Sequence, residues 1–203
     1  MRKSFSAASV AALVLVLVAF AAPASAQSGG GCQLQGTAAF NPGLTNADAN
    51  FSYGFGGDLT GCQSNQAGAP TAGTVEAGKV VTDPATGEQF QEPVPTGTGS
   101  CASSTTTGTA IVRWNDGTAT VVQYATTGAA AAVHLTGNVI DSVTLPAINP
   151  GVGQPTSMTI TTTRYNGQSA LGVLAFQPPD PTACNAAGVT TAGISGVIGL
   201  GSQ

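Results

Sequence analysis

Apolar side chains recur at every second position through much of this chain, and turn-forming residues interrupt them at intervals of roughly 8 to 12 residues. Phe51, Tyr53 and Phe55 alternate with Asn50, Ser52 and Gly54, so an extended backbone presents all three rings on one face. The Thr-rich run 159–163 favours a pleated backbone because β-branched side chains lose rotamer freedom in a helix. No stretch repeats apolar residues at the i, i+3, i+4 spacing of an amphipathic helix. A chain of this kind is confined to an all-β fold.

Strand signals cover 32–40, 50–59, 74–82, 131–139, 141–145 and 188–200. Asn115-Asp116-Gly117 joins strands 109–114 and 118–124 in a predicted hairpin, because Asp-Gly accepts the positive φ angles of tight turns. Tyr165-Asn166-Gly167 repeats the device between 157–164 and 169–176. The resulting count of roughly eight to ten strands predicts an antiparallel β-sandwich or jelly-roll-like single domain.

The first 26 residues read as a signal peptide. Arg2 and Lys3 precede an apolar run at 11–20, and Ala24-Ser25-Ala26 supplies a small-residue cleavage pattern. Ten apolar residues are too few for a membrane span, which needs about 20. The expected division is a signal peptide at 1–26, a flexible lead-in at 27–31 and a β-sandwich domain at 32–203, with a long Gly/Pro/Thr-rich loop at 63–100. Within that loop, 83–95 holds three of the nine acidic residues together with Pro93 and Pro95, which suit only a strand edge. The closing residues Gly199 to Gln203 carry neither a hydrophobic tail nor a basic end. Free secretion to the extracellular space is the expectation.

Charge excludes several partners. Beyond the signal segment only Lys79, Arg113 and Arg164 are strong cations, against nine carboxylates, for a net charge near −6. Three scattered cations cannot build a phosphate-binding patch for nucleic acid or an anionic membrane surface. Export carries Cys32, Cys62, Cys101 and Cys184 into an oxidising compartment, where two disulfides are expected. Four cysteines allow three connectivities. Cys32 with Cys62 is favoured because they bracket two consecutive strands that an antiparallel hairpin brings together, which leaves Cys101 with Cys184.

No familiar catalytic or metal-binding arrangement is present. One His and no C-x-x-C spacing argue against zinc, and no Asp-rich loop of the calcium-binding type occurs. His134, the sole histidine, has no identifiable nucleophile beside it, and Gly193-Ile194-Ser195-Gly196 lacks the spacing of a nucleophile elbow. Asp48, Asp58, Asp83, Asp116, Asp141 and Asp180 all fall at turns or strand ends, where Asp bonds its own backbone. Aromatic residues are the better lead, since a sugar site uses aromatic faces flanked by amide and carboxylate groups. Trp114 beside Asp116, and Tyr165 beside Asn166, stand at predicted hairpin ends and are the candidate ligand-binding set, although Trp114 also suits a core position between sheets.

Gly31-Cys32-Gln33-Leu34-Gln35-Gly36, Phe40-Asn41-Pro42-Gly43-Leu44, Leu59-Thr60-Gly61-Cys62, Gly99-Ser100-Cys101, Val112-Arg113-Trp114-Asn115-Asp116-Gly117-Thr118 and the closing segment after Cys184 together resemble a group of small secreted actinobacterial proteins. The resemblance spans almost all of the chain beyond the signal segment. It implies export and a two-disulfide all-β domain and transfers no functional residue. The expected function is an extracellular structural or binding protein that uses no cofactor and meets an unknown extracellular partner or glycan, with no catalysis. The alternative is a carbohydrate-binding module or carbohydrate-active enzyme. A third reading is strand addition to a partner along an exposed sheet edge.

Overall fold

The computed structural model of the chain describes residues 29–201. The signal peptide expected at 1–26 lies outside them. Thirteen strands form: β1 (Gly30–Leu44), β2 (Ala49–Ser64), β3 (Gly73–Ala77), β4 (Val80–Thr82), β5 (Gln89–Gln91), β6 (Thr96–Gly99), β7 (Ser103–Trp114), β8 (Ala119–Ala129), β9 (Ala132–Ile140), β10 (Ser142–Pro146), β11 (Ser157–Thr161), β12 (Ser169–Gln177) and β13 (Val189–Leu200). Among the described residues a single 3-10 turn, Pro181–Asn185, precedes β13. Every strand pairing is antiparallel.

The main sheet closes on itself, so the sandwich or jelly-roll expectation gives way to a barrel. Its order runs β1-β13-β12-β9-β8-β7-β3-β2, and β2 returns to pair with β1 along almost its whole length. The short β3 and β6 share one position in the wall between β2 and β7. β3 pairs with Phe55 to Leu59 of β2, and β6 with Ala49 to Ser52. The wall therefore has eight positions. Closure leaves no long unpaired edge in this sheet, which removes the basis for strand addition there. Alternation along a strand is the same in a sandwich and a barrel, because both bury one face, and only the partner of the last strand separates them.

Close approach of neighbouring strands helps the wall curl. A Cβ at the inward-facing Gly196 would lie 2.2 Å from the carbonyl oxygen of Val173, so this contact between β13 and β12 requires glycine. Inward positions are apolar: Leu34 and Ala38 on β1, Ala110 and Val112 on β7, Val122 on β8, Leu174 on β12. Outward positions carry Gln33, Gln35, Thr37, Thr105, Thr107, Gln123, Thr136 and Asn138, all exposed. Leu171 and Val173 on β12 and Val197 on β13 are exposed apolar exceptions, and the rest of this outer face has the reverse polarity of a lipid-facing barrel. Among the described residues no helix is long and apolar enough to cross a membrane.

Two excursions leave the wall. Residues 63–100, expected as a loop with one strand, hold β3 to β6. Between β3 and β6 the chain turns out as the β4–β5 hairpin, closed at 83–88 by Asp83, whose carboxylate accepts from the amide of Ala85 and the hydroxyl of Thr86. Between β9 and β12 it turns out again as the β10–β11 hairpin. The two meet through Phe90 and Ala147 and enclose a second core of Phe90, Ile111 and Leu145. Ile111 points outward from β7, and this cover is why the run Ala110-Ile111-Val112 is buried on both faces. The expected hairpin around Tyr165 does not form as such. The turn exists, with Tyr165 at φ 63° and Gly167 at φ 72°, but β11 pairs with β10 and β12 pairs with β9 and β13.

Cys32 is bonded to Cys62 and Cys101 to Cys184. Cys32 lies where the register between β1 and β2 shifts, opposite the bulge made by Gly61 at φ 57°. Gly30 and Gly31, placed in the lead-in by their composition, are paired in β1.

Candidate functional site

The barrel lumen is not filled. A cavity of about 140 Å³ runs through it, and each of the eight wall positions contributes to its lining, the one shared by β3 and β6 through β3 alone. Its walls are Leu34, Ala38, Phe55, Leu59, Val75, Ala77, Ala110, Val112, Val122, Val133, Leu135, Leu174 and Ile194. These are the inward halves of alternating strands, so the same periodicity that forms the core also forms the cavity.

Each end has its own aromatic group. Trp114 and Tyr165 meet edge to face at one end, with ring centroids 5.7 Å apart. The indole N–H of Trp114 donates to Thr120 Oγ1 at 2.9 Å, and that hydroxyl donates to the Arg164 carbonyl at 2.9 Å. Toward the other end Phe40 gathers Phe51, Tyr53 and Phe176, each with its ring centroid 5.9 Å from that of Phe40. The two disulfides belong to these ends. Cys62 packs on the main core near Cys32, whereas Cys101 and Cys184 pack on the Phe51 cluster.

A chain of hydroxyls is the main polar feature of the wall, which also includes Gln63 and Ser104. The Tyr124 and Tyr53 hydroxyls are 2.7 Å apart, Tyr53 and Thr106 3.0 Å, and Thr106 and Thr126 2.8 Å. All four side chains line the cavity. Burial pushes both phenols above their ordinary range, and for Tyr124 the neighbouring Tyr53 adds to this, so both stay neutral. Tyr124 fits because Gly108 lies beneath it; a Cβ there would stand 2.7 Å from the phenol oxygen and 2.8 Å from Pro95 Cβ. Among the described residues no Asp, Glu, Lys, Arg or His lines the lumen.

Comparison of this chain with protein-family models, curated proteins and solved structures returned no match.

The candidate residues read from sequence come together at the Trp114 end. Trp114 and Tyr165 are each 6% exposed. They offer no aromatic platform to a glycan in solvent and instead close one end of the lumen. Asp116 is exposed at the hairpin tip, where its carboxylate accepts from the Thr118 hydroxyl and amide and lies 2.8 Å from Arg164 Nη2. These contacts, the Thr118 hydroxyl foremost, hold its carboxyl below the usual range. Asp116 does not line the lumen. His134 is exposed on the outer face of β9. Among the described residues no three His, Cys, Asp or Glu side chains stand close enough to hold a metal ion.

Sequence reasoning missed the hydroxyl chain. Tyr53 was legible as part of an inward aromatic face, but its partners Thr106 and Tyr124 lie 53 and 71 residues away, and Thr126 joins the chain only through Thr106. The available signal was two tyrosines at inward positions of otherwise apolar strands, since a buried phenol needs a hydrogen-bond partner.

Proposed function

We propose that the chain is a secreted, non-enzymatic binding protein that holds one small apolar molecule inside its barrel. The observation that carries this reading is the unfilled apolar lumen of about 140 Å³. Eight-stranded barrels either fill the interior with side chains or hold one small ligand there. A void this large weakens a core by about 3 kcal/mol relative to a packed one, at about 24 cal/mol per Å³, and an occupant would recover part of that. Apolar cavities of about 150 Å³ stay dry and accept molecules the size of benzene.

Export is supported by the signal-peptide pattern in the sequence of 1–26 and by two disulfides. The absence of charged groups from the lumen supports binding rather than catalysis as its role.

Thermal melting with benzene, toluene or methylenecyclohexane tests the proposal. At about 100 times the dissociation constant, the midpoint is expected to rise by about 5 to 10 °C. Ala110→Leu projects a larger side chain into the lumen and is expected to keep the fold and lose this rise. No rise with any hydrocarbon in the wild-type protein would rule out the lumen as a binding site.

A further inference from the structure

The hydroxyl chain in the lumen has one more proton than it can use. Tyr124, Tyr53, Thr106 and Thr126 each carry one hydroxyl proton, and the three hydrogen bonds between them consume three. The fourth has no acceptor in the hydrogen bonds these four side chains make. Either member of each bonded pair can donate, so the spare proton can reside on any of the four oxygens and appear where an acceptor arrives.

Resting on the lumen-binding reading, we infer that the ligand is an uncharged, mainly hydrocarbon molecule bearing one hydrogen-bond acceptor, such as a ketone or ester carbonyl or an ether oxygen, and that this chain donates to it. Three observations carry the inference. The surplus donor faces a cavity whose lining is mainly apolar, Gln63 and Ser104 apart, where an unmet hydroxyl is costly. The lining includes no cation to pair with a carboxylate and no anion to pair with an amine. Tyr124 is also held in place, because Gly108 leaves room for its ring, while Tyr53 bonds both Tyr124 and Thr106. The donor is thus positioned before the ligand enters, which lowers the entropic cost of using it.

Cyclohexanone and methylenecyclohexane test this, being nearly the same shape and differing by a carbonyl in place of an exocyclic methylene. Water solvates the ketone better, so their affinities are compared as a ratio in wild-type protein and again in the Tyr53→Phe/Thr106→Val/Tyr124→Phe/Thr126→Val variant, which removes all four hydroxyls while the comparison cancels the solvation difference. The ketone-to-alkene affinity ratio is expected to fall about tenfold in the variant, the worth of one neutral hydrogen bond. An unchanged ratio would overturn the inference while leaving lumen binding intact. If wild-type protein bound neither molecule, the lumen-binding reading would fail first. Where this variant does not fold, the infrared carbonyl stretch of ¹³C-labelled cyclohexanone bound to wild-type protein decides. A band below its position in hexane supports donation from the wall, and a band at the hexane position overturns it.

Discussion

Glu92 lies in surroundings unlike those its sequence context implies. It sits beside Pro93 in a stretch that reads as loop, yet it is 1% exposed. One carboxylate oxygen accepts from the Lys79 amide at 3.1 Å, and the other lies 3.7 Å from Arg113 Nη2, which is too long for a hydrogen bond. Arg113 meanwhile pairs with Glu76 at 2.8 Å. Burial outweighs these partners and raises the Glu92 carboxyl above its usual range. Folded protein therefore keeps this proton where the unfolded chain has lost it. The stability Glu92 contributes is full below pH about 4.5 and declines as pH rises through the folded value. Asp83, Asp116 and Asp180 act in the opposite direction. Hydrogen bonds from Ala85, Thr118 and Thr182 lower their carboxyls, so their contribution is present above pH about 3.8 and is lost as pH falls through the lowered values. Glu92→Gln keeps the shape of the protonated acid, and melting curves should show the variant gaining on wild type as pH rises from 4.5 to 7. A gap that stays constant with pH would contradict the burial argument. Gly108→Ala belongs to the same scale. Its methyl group would overlap Tyr124 and Pro95, and a loss of about 1 to 3 kcal/mol is expected in urea unfolding.

The two outlying hairpins behave differently from the barrel strands. The β4–β5 and β10–β11 hairpins contribute nothing to the lumen lining, and their buried side chains Phe90 and Leu145 face Ile111 on the outside of the wall. Phe90→Ala should cost about 3 to 5 kcal/mol by opening a void under the cover. Hydrocarbon binding in the lumen should persist at temperatures where the variant is folded, which calorimetric titration would show. The elements themselves were largely legible. Period-two alternation located the barrel strands from β7 onward, and Asp116-Gly117 marked the turn that joins β7 to β8, where Gly117 adopts φ 83°. In the Gly/Pro-rich stretch before β7 only one strand was read, at 74–82, where β3 and β4 form, and β5 and β6 were not read because they are only 3 and 4 residues long. Strands so short show too little alternation to register. The Tyr165 turn was visible as a turn, but nothing local told that its flanking strands would part company, one to the outer hairpin and one to the barrel wall.

The whole molecule is tied at both ends by covalent links of unequal reach. Cys32–Cys62 closes a separation of 30 residues and Cys101–Cys184 one of 83. Loop-closure entropy assigns about 3.6 and about 4.6 kcal/mol to them as upper figures. Replacing the second pair by serine should lower the urea midpoint more than replacing the first, because β1 and β2 are already joined as an antiparallel hairpin. An equal or smaller effect would show that the barrel ends are held by packing of Phe40, Phe51 and Phe176 rather than by the bridge. By itself the sequence determined which backbone is extended, which face of each strand is apolar, where the tightest hairpin turns, and which cysteines two adjacent strands bring together. These are properties of neighbours along the chain, set by rotamer freedom, φ preference and side-chain alternation. Only the tertiary structure decided that β13 reaches β1, that the interior stays open, that Glu92 and Ile111 are covered from outside, and that four distant hydroxyls share one wall. Alternation records a buried face without recording what lies across from it, so a closed lumen and a packed sandwich share one pattern until the last strand finds its partner.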